Sequence, residues 1–175
     1  EWHIAAEPRG ELQQLMPAPP VLQFDTDGTL LSHWGGPGQG YDWPESNHGV
    51  TVDYKGNVWI GGNGRGMAPA ARGAEPAGRG AQPAGGAGGV QGYFNDAMVL
   101  KFTQTGKFLI QIGKPGQSKG SNDVDNLRLP AKTFVDKVAN EVYVADGYGN
   151  HRVIVYDADT GKYKRHWGAY GNKPD

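Results

Sequence analysis

The sequence predicts an all-β protein built from repeated four-stranded antiparallel units, and three observations predict it. Its 175 residues include 29 Gly and 12 Pro, a density of turn formers that points away from helical bundles and coiled coils. A pattern of apolar strand, Asp/Thr/Gly turn and amphipathic strand occurs three times, over 21–35, 99–113 and 153–168. A further strand pair stands ahead of the second and third occurrences, over 49–60 and 133–145.

Each repeated stretch reads as a β-hairpin. Alternating side chains flank a polar turn, and Gly28, Gly106 and Gly161 stand where the chain needs a positive φ that a Cβ would oppose. The hairpins run into glycine-rich connections at 35–39, 113–117 and 168–172. Adding the preceding strand pair to a hairpin gives four antiparallel strands in roughly 40 to 50 residues, the habit of a β-propeller blade. Gly113 and Gly168 are 55 residues apart, whereas Gly35 and Gly113 are 78 apart. The excess is an insertion from Gly61 to Gly92 that holds 12 Gly, 8 Ala and 3 Pro. Such a composition builds no core and reads as a disordered, solvated loop. The predicted organisation is an N-terminal extension (1–19), a partial first blade (20–35), a second blade with the insertion (44–113), a third blade (127–168) and the start of a next linker (169–175). That makes a partial propeller of about two and a half blades, short of the roughly four to eight that close a ring. The remaining blades, or other chains, are the expected partners.

Composition excludes several functions. With 17 basic and 18 acidic residues the formal charge of −1 offers no global field for nucleic acid, and three arginines in the insertion without interleaved aromatics make a poor RNA surface. No apolar run approaches the roughly 18 to 20 residues of a transmembrane helix. The absence of Cys excludes disulfides, thiolate metal sites and cysteine nucleophiles. Neither a G-x-S-x-G elbow nor a P-loop order is present. The Asp25, Asp27, Gly28 cluster and the Asp157, Asp159 pair read as turns, because the chain returns to an apolar strand before an EF-hand-like loop could collect its ligands. Lys162, Lys164, Arg165 and His166 alternate at strand spacing and read as a solvated face.

The segment Val142-Tyr143-Val144-Ala145-Asp146-Gly147-Tyr148-Gly149-Asn150-His151-Arg152-Val153 resembles the NHL-repeat family of propellers. Within that family the chain is most similar to the peptidylglycine alpha-amidating lyases, through Asn47-His48-Gly49-Val50-Thr51-Val52-Asp53 with Gly56-Asn57-Val58-Trp59, through Asp146-Gly147-Tyr148, and through the polar loop from Gly113 to Pro130. The resemblance implies a zinc ligand at His48, a calcium facing the backbone carbonyl of Val50, a catalytic role for the Tyr148 hydroxyl, and an extracytoplasmic location, periplasmic or secreted. It departs from the family pattern where the strand opening at Leu129 to Phe134 has no histidine and where Gly149 replaces the family's cysteine. Zinc normally takes three or four protein ligands, so His48 reads either as one ligand of a larger set or as a channel-lining histidine. Tyr148 reads either as a substrate contact or as an aromatic covering the blade edge. Asp146, Asn150, His151 and Arg152 form the structural motif of the blade, with a carboxylate and a guanidinium placed to pair across a tight turn. The expected function is a ligand- or protein-binding propeller scaffold or a subunit of a larger assembly. The alternatives are a metal-dependent peptidyl-hydroxyglycine lyase and an RNA-binding NHL propeller.

Overall fold

The computed structural model describes residues 18–64 and 96–168. The predicted linker from 169, most of the N-terminal extension, and all but the first four residues of the insertion lie outside them. Among the described residues there are ten strands and no helix: β1 (Val21–Phe24), β2 (Leu30–Trp34), β3 (Asn47–Val52), β4 (Val58–Gly62), β5 (Met98–Phe102), β6 (Phe108–Gly113), β7 (Lys132–Asp136), β8 (Glu141–Asp146), β9 (Arg152–Asp157) and β10 (Tyr163–Gly168). The all-β, four-stranded architecture expected from the repeats is the one found. Among the described residues no helix is long and apolar enough to cross a membrane.

Two compact units divide the chain, Glu1–Gly36 and Pro37–Asp175. The first carries the β1–β2 hairpin, in which Val21 pairs with Trp34. The second holds two antiparallel meanders, β3-β4-β5-β6 and β7-β8-β9-β10.

One turn chemistry recurs. Asp25, Asp53 and Asp157 each open a hairpin turn and accept backbone amides two and three or four residues on with one carboxylate oxygen. Gly28, Gly56, Gly106 and Gly161 follow at φ between 69° and 85°. In the β7–β8 turn Asp136 plays the opening role and Asn140, at φ 51°, takes the left-handed position that asparagine tolerates best after glycine. Of the aspartates read as turns from the sequence, Asp25 and Asp157 are spent on amides of their own turns, whereas Asp159 turns to Lys55 and Asn140.

The register sorts each sheet into two faces. Thr51, Trp59, Lys101 and Ile110 are cross-strand partners on one face of the first meander, with Val99 and Ile112 a step along. This face packs on Val135, Val142, Val144, Ile154 and Tyr156 of the second meander to make the core, with Leu127 filling in from the connecting loop. The sheets meet through β7, which lies against β3 and β4, and the Thr51 hydroxyl donates to the Thr133 carbonyl at 2.9 Å. On the opposite face of the first meander Tyr41 meets Phe102 edge-on and Trp43 packs on it at a tilt.

Polar groups fasten the turn ends. Buried Lys101 donates to the Ala158 carbonyl at 2.6 Å, and its ammonium lies 5.1 Å from the Trp59 ring centre. Lys55 and Asp159 pair at 2.7 Å. Burial works against the Asp53 carboxylate, but hydrogen bonds from Trp59, Asn57 and Lys55 outweigh it and hold its pKa below the ordinary value of 3.8. A depressed folded value gives stability that is present above the unfolded pKa and lost as pH falls through the folded one. Asp53→Asn should therefore flatten the fall of unfolding free energy below about pH 4 in denaturant melts across a pH series; an unchanged slope would mean Asp53 is not among the groups responsible.

One boundary needs correction. Gly61 and Gly62, assigned to the insertion, belong to β4, buried and paired with His48 and Asn47. A Cβ at Gly62 would collide with Pro44 and the Asp96 carboxylate, so glycine stands there for close packing and not for freedom.

Candidate functional site

His48 sits near the start of β3, where Gly49 takes φ 71° and the register with β4 slips between His48 and Val50. Only glycine suits this bulge, because an added Cβ would run into the Ala131 carbonyl just ahead of β7. The bulge sets the imidazole so that Nδ1 lies 3.0 Å from that same carbonyl oxygen. A carbonyl only accepts, so Nδ1 carries a proton and donates it. Among the described residues Nε2 has no hydrogen-bond partner.

Tyr148 arrives from the β8–β9 turn. Its ring stands edge-on to His48, with centroids 5.5 Å apart and planes at 84°. It is 55% exposed, and its hydroxyl makes no hydrogen bond to the described residues. Two residues singled out on separate motifs are thus neighbours on one surface.

The structural motif positions that turn. Arg152 Nε pairs with Asp146 at 2.9 Å, both side chains fully buried. Its remaining nitrogens donate to the carbonyls of Ser121, Asp123 and Asn126, wrapping the loop after β6 around the guanidinium. Asn150 donates to Asp146 at 2.7 Å, and Asp146 accepts the Arg128 amide at 2.8 Å. The expected Asp146 and Arg152 pair is present, but the amide it satisfies belongs to the loop leading into β7 and not to its own turn. His151 is exposed and held through its backbone amide on the Ser121 hydroxyl, and among the described residues its ring makes no hydrogen bond with His48.

Sequence reasoning missed Asp96. It is fully buried and accepts the amides of Glu45, Ser46 and Gly64, fixing the segment that leads into β3 and so the position of His48. Burial pushes its carboxyl above the ordinary range although the three amides pull it down. Its place beside a low-complexity stretch hid it. The basic alternation on β10 also differs from a plain solvated face, since Lys164 and Arg165 both pair with Glu141 at 2.7 Å. Arg165 first, then Lys164, holds the Glu141 carboxyl well below the usual range.

Val50 follows in β3 opposite Ile60, with its side chain exposed. Among the described residues no group of three His, Cys, Asp or Glu could hold a metal ion. One imidazole is not a zinc set by itself. No protein-family model matches the chain, and no curated protein matches it.

Proposed function

We propose that the chain is part of an NHL-type propeller scaffold that binds a ligand where β3 and β7 begin, with His48 and Tyr148 as contact residues. The observation that carries this is their convergence from positions a hundred residues apart, each with a polar atom unsatisfied by the described residues. An imidazole held by a backbone carbonyl and a half-exposed phenol form a small recognition surface on rigid strands and a pinned turn. Further sheets, from the same polypeptide or another chain, complete the surface. By resemblance the setting is extracytoplasmic. In a titration of the 15N-labelled chain with a library of short peptides and their amides, shifts should concentrate on His48, Gly49, Ala131 and Tyr148. They should vanish in both His48→Ala and Tyr148→Ala. Shifts confined to other residues, or unaffected by either substitution, would contradict the reading.

A second reading is favoured by one feature, the Nδ1 anchor, which is how metal-binding histidines are commonly oriented. It is a peptidyl-hydroxyglycine lyase. In that reaction the N–Cα bond of the hydroxyglycine breaks, the amide nitrogen keeps the electron pair and gains a proton, and the hydroxyl oxygen loses one to become the aldehyde of glyoxylate. Tyr148 would stand where a proton can be moved, and His48 would be one of several ligands if zinc is bound. Release of peptide amide and glyoxylate from a hydroxyglycine-extended peptide with added zinc, abolished in Tyr148→Phe, is the result this reading requires; no release under those conditions would remove it.

A further inference from the structure

Tyr148 stands on a turn that by itself would not hold it. Glycine flanks it on both sides, at 147 and 149, and the backbone freedom of the two would let the ring swing widely. Among the described residues its hydroxyl makes no hydrogen bond that could fix it, yet the ring meets His48 edge-on at 5.5 Å. The two glycines differ in their surroundings. A Cβ added at Gly147 would meet nothing within 4 Å, whereas one added at Gly149 would overlap Cγ and Cδ of Arg128. Neither glycine takes a positive φ, so contact alone separates them. The aliphatic stem of Arg128 thus lies across the Gly149 backbone. The Gly149 amide donates to the Arg128 carbonyl at 3.2 Å, and the Arg128 amide donates to buried Asp146 at 2.8 Å.

The same short stretch reaches His48. Three residues beyond Arg128, the Ala131 carbonyl accepts from His48 Nδ1 at 3.0 Å, and the Ala131 amide donates to Ala145 near the end of β8 at 2.9 Å. Between them Leu129 takes φ 56°, a left-handed conformation that a bulky side chain resists. Such strain persists only where the surroundings impose it, and here the side chain is fully buried and the amide donates to the Asp96 carbonyl at 2.9 Å. The stretch 128–131 therefore clamps one site residue at its start and anchors the other at its end, with a strained and pinned residue between.

We propose that Arg128 is a positioning residue: its stem, laid across Gly149, holds the turn in the arrangement that brings Tyr148 to His48, and the strap from Arg128 to Ala131 sets the distance between the two rings. The inference rests on the reading of His48 and Tyr148 as one contact surface, and it goes beyond that reading by naming what assembles the pair before any ligand arrives.

Ring-proton nuclear Overhauser spectra of the full, ligand-free chain test it. Gly149→Ala sets a methyl group against the Arg128 stem without demanding a forbidden φ, and should abolish the His48 to Tyr148 cross-peaks. Gly147→Ala is the control and should leave them in place. Arg128→Ala removes the stem and should weaken them. In the double variant Arg128→Ala with Gly149→Ala, the added methyl takes up space the stem has left, so the cross-peaks should return in large part. Far-ultraviolet circular dichroism of every variant should match the wild type. Cross-peaks that survive both Gly149→Ala and Arg128→Ala, equal losses at 147 and 149, or a double variant no better than either single one would each overturn the proposal. Peptide titration of the wild type decides the binding reading separately, since a chain that binds no peptide still keeps or loses these cross-peaks on its own geometry. A wild type without the cross-peaks would remove both.

Discussion

Arg152→Leu is expected to lower the unfolding free energy by about 3 to 5 kcal/mol, because it strands a buried carboxylate and leaves several buried carbonyls without donors. The Asp146 partner is fully buried, and the carbonyls of Ser121, Asp123 and Asn126 all turn toward the guanidinium. Leucine fills part of the space but donates nothing. Denaturant unfolding followed by tryptophan fluorescence measures the loss. Adding Asp146→Leu removes the orphaned charge, so the double variant should recover part of the loss, whereas a purely additive result would show that the two groups do not act as a pair. The consequence reaches the site, since the loop held by Arg152 ends at Ala131, the carbonyl that anchors His48. Resonances of His48 should move even though Arg152 forms no hydrogen bond with it.

Gly49→Ala carries the second large effect. The position has φ 71° and faces the Ala131 carbonyl, so alanine meets both backbone strain and a collision that can be relieved only by moving β3 away from β7. Left-handed strain alone costs roughly 1 to 2 kcal/mol, and relief of the collision adds to it by opening the sheet junction. Gly56 supplies the control, because it has a similar φ of 80° with nothing within 4 Å of an added Cβ. Gly56→Ala should show the strain alone. Gly49→Ala should lose clearly more in the same unfolding assay and should also shift the His48 and Tyr148 ring resonances, which Gly56→Ala should leave in place. Equal losses at the two positions would mean that the close approach of β3 to Ala131 is not a constraint.

Much of the fold was legible because the turns repeat. The Asp and Gly spacing at 25 to 28, 53 to 56 and 157 to 161 marks where each hairpin reverses, and alternation of side chains then fixes which residues share a face. Less legible were groups whose roles depend on distant chain. Lys101 looks like an ordinary strand lysine until the Ala158 carbonyl and the Trp59 ring enclose it, and Asp96 gives no local sign that it gathers amides from 45, 46 and 64. Gly61 and Gly62 were misplaced for a related reason. Glycine beside a low-complexity stretch resembles its neighbours in composition, and only the Pro44 and Asp96 packing distinguishes it. At the site the two motifs named His48 and Tyr148 separately; their meeting follows from β7 lying beside β3, which no local pattern contains.

The most direct test of the His48 and Tyr148 site is nitrogen-15 and nuclear Overhauser spectroscopy of the His48 ring at neutral pH. The account predicts a proton on Nδ1, held in its hydrogen bond to Ala131, and cross-peaks between the His48 and Tyr148 ring protons. A ring protonated on Nε2 alone, or the absence of any His48 to Tyr148 cross-peak in the folded chain, would contradict it.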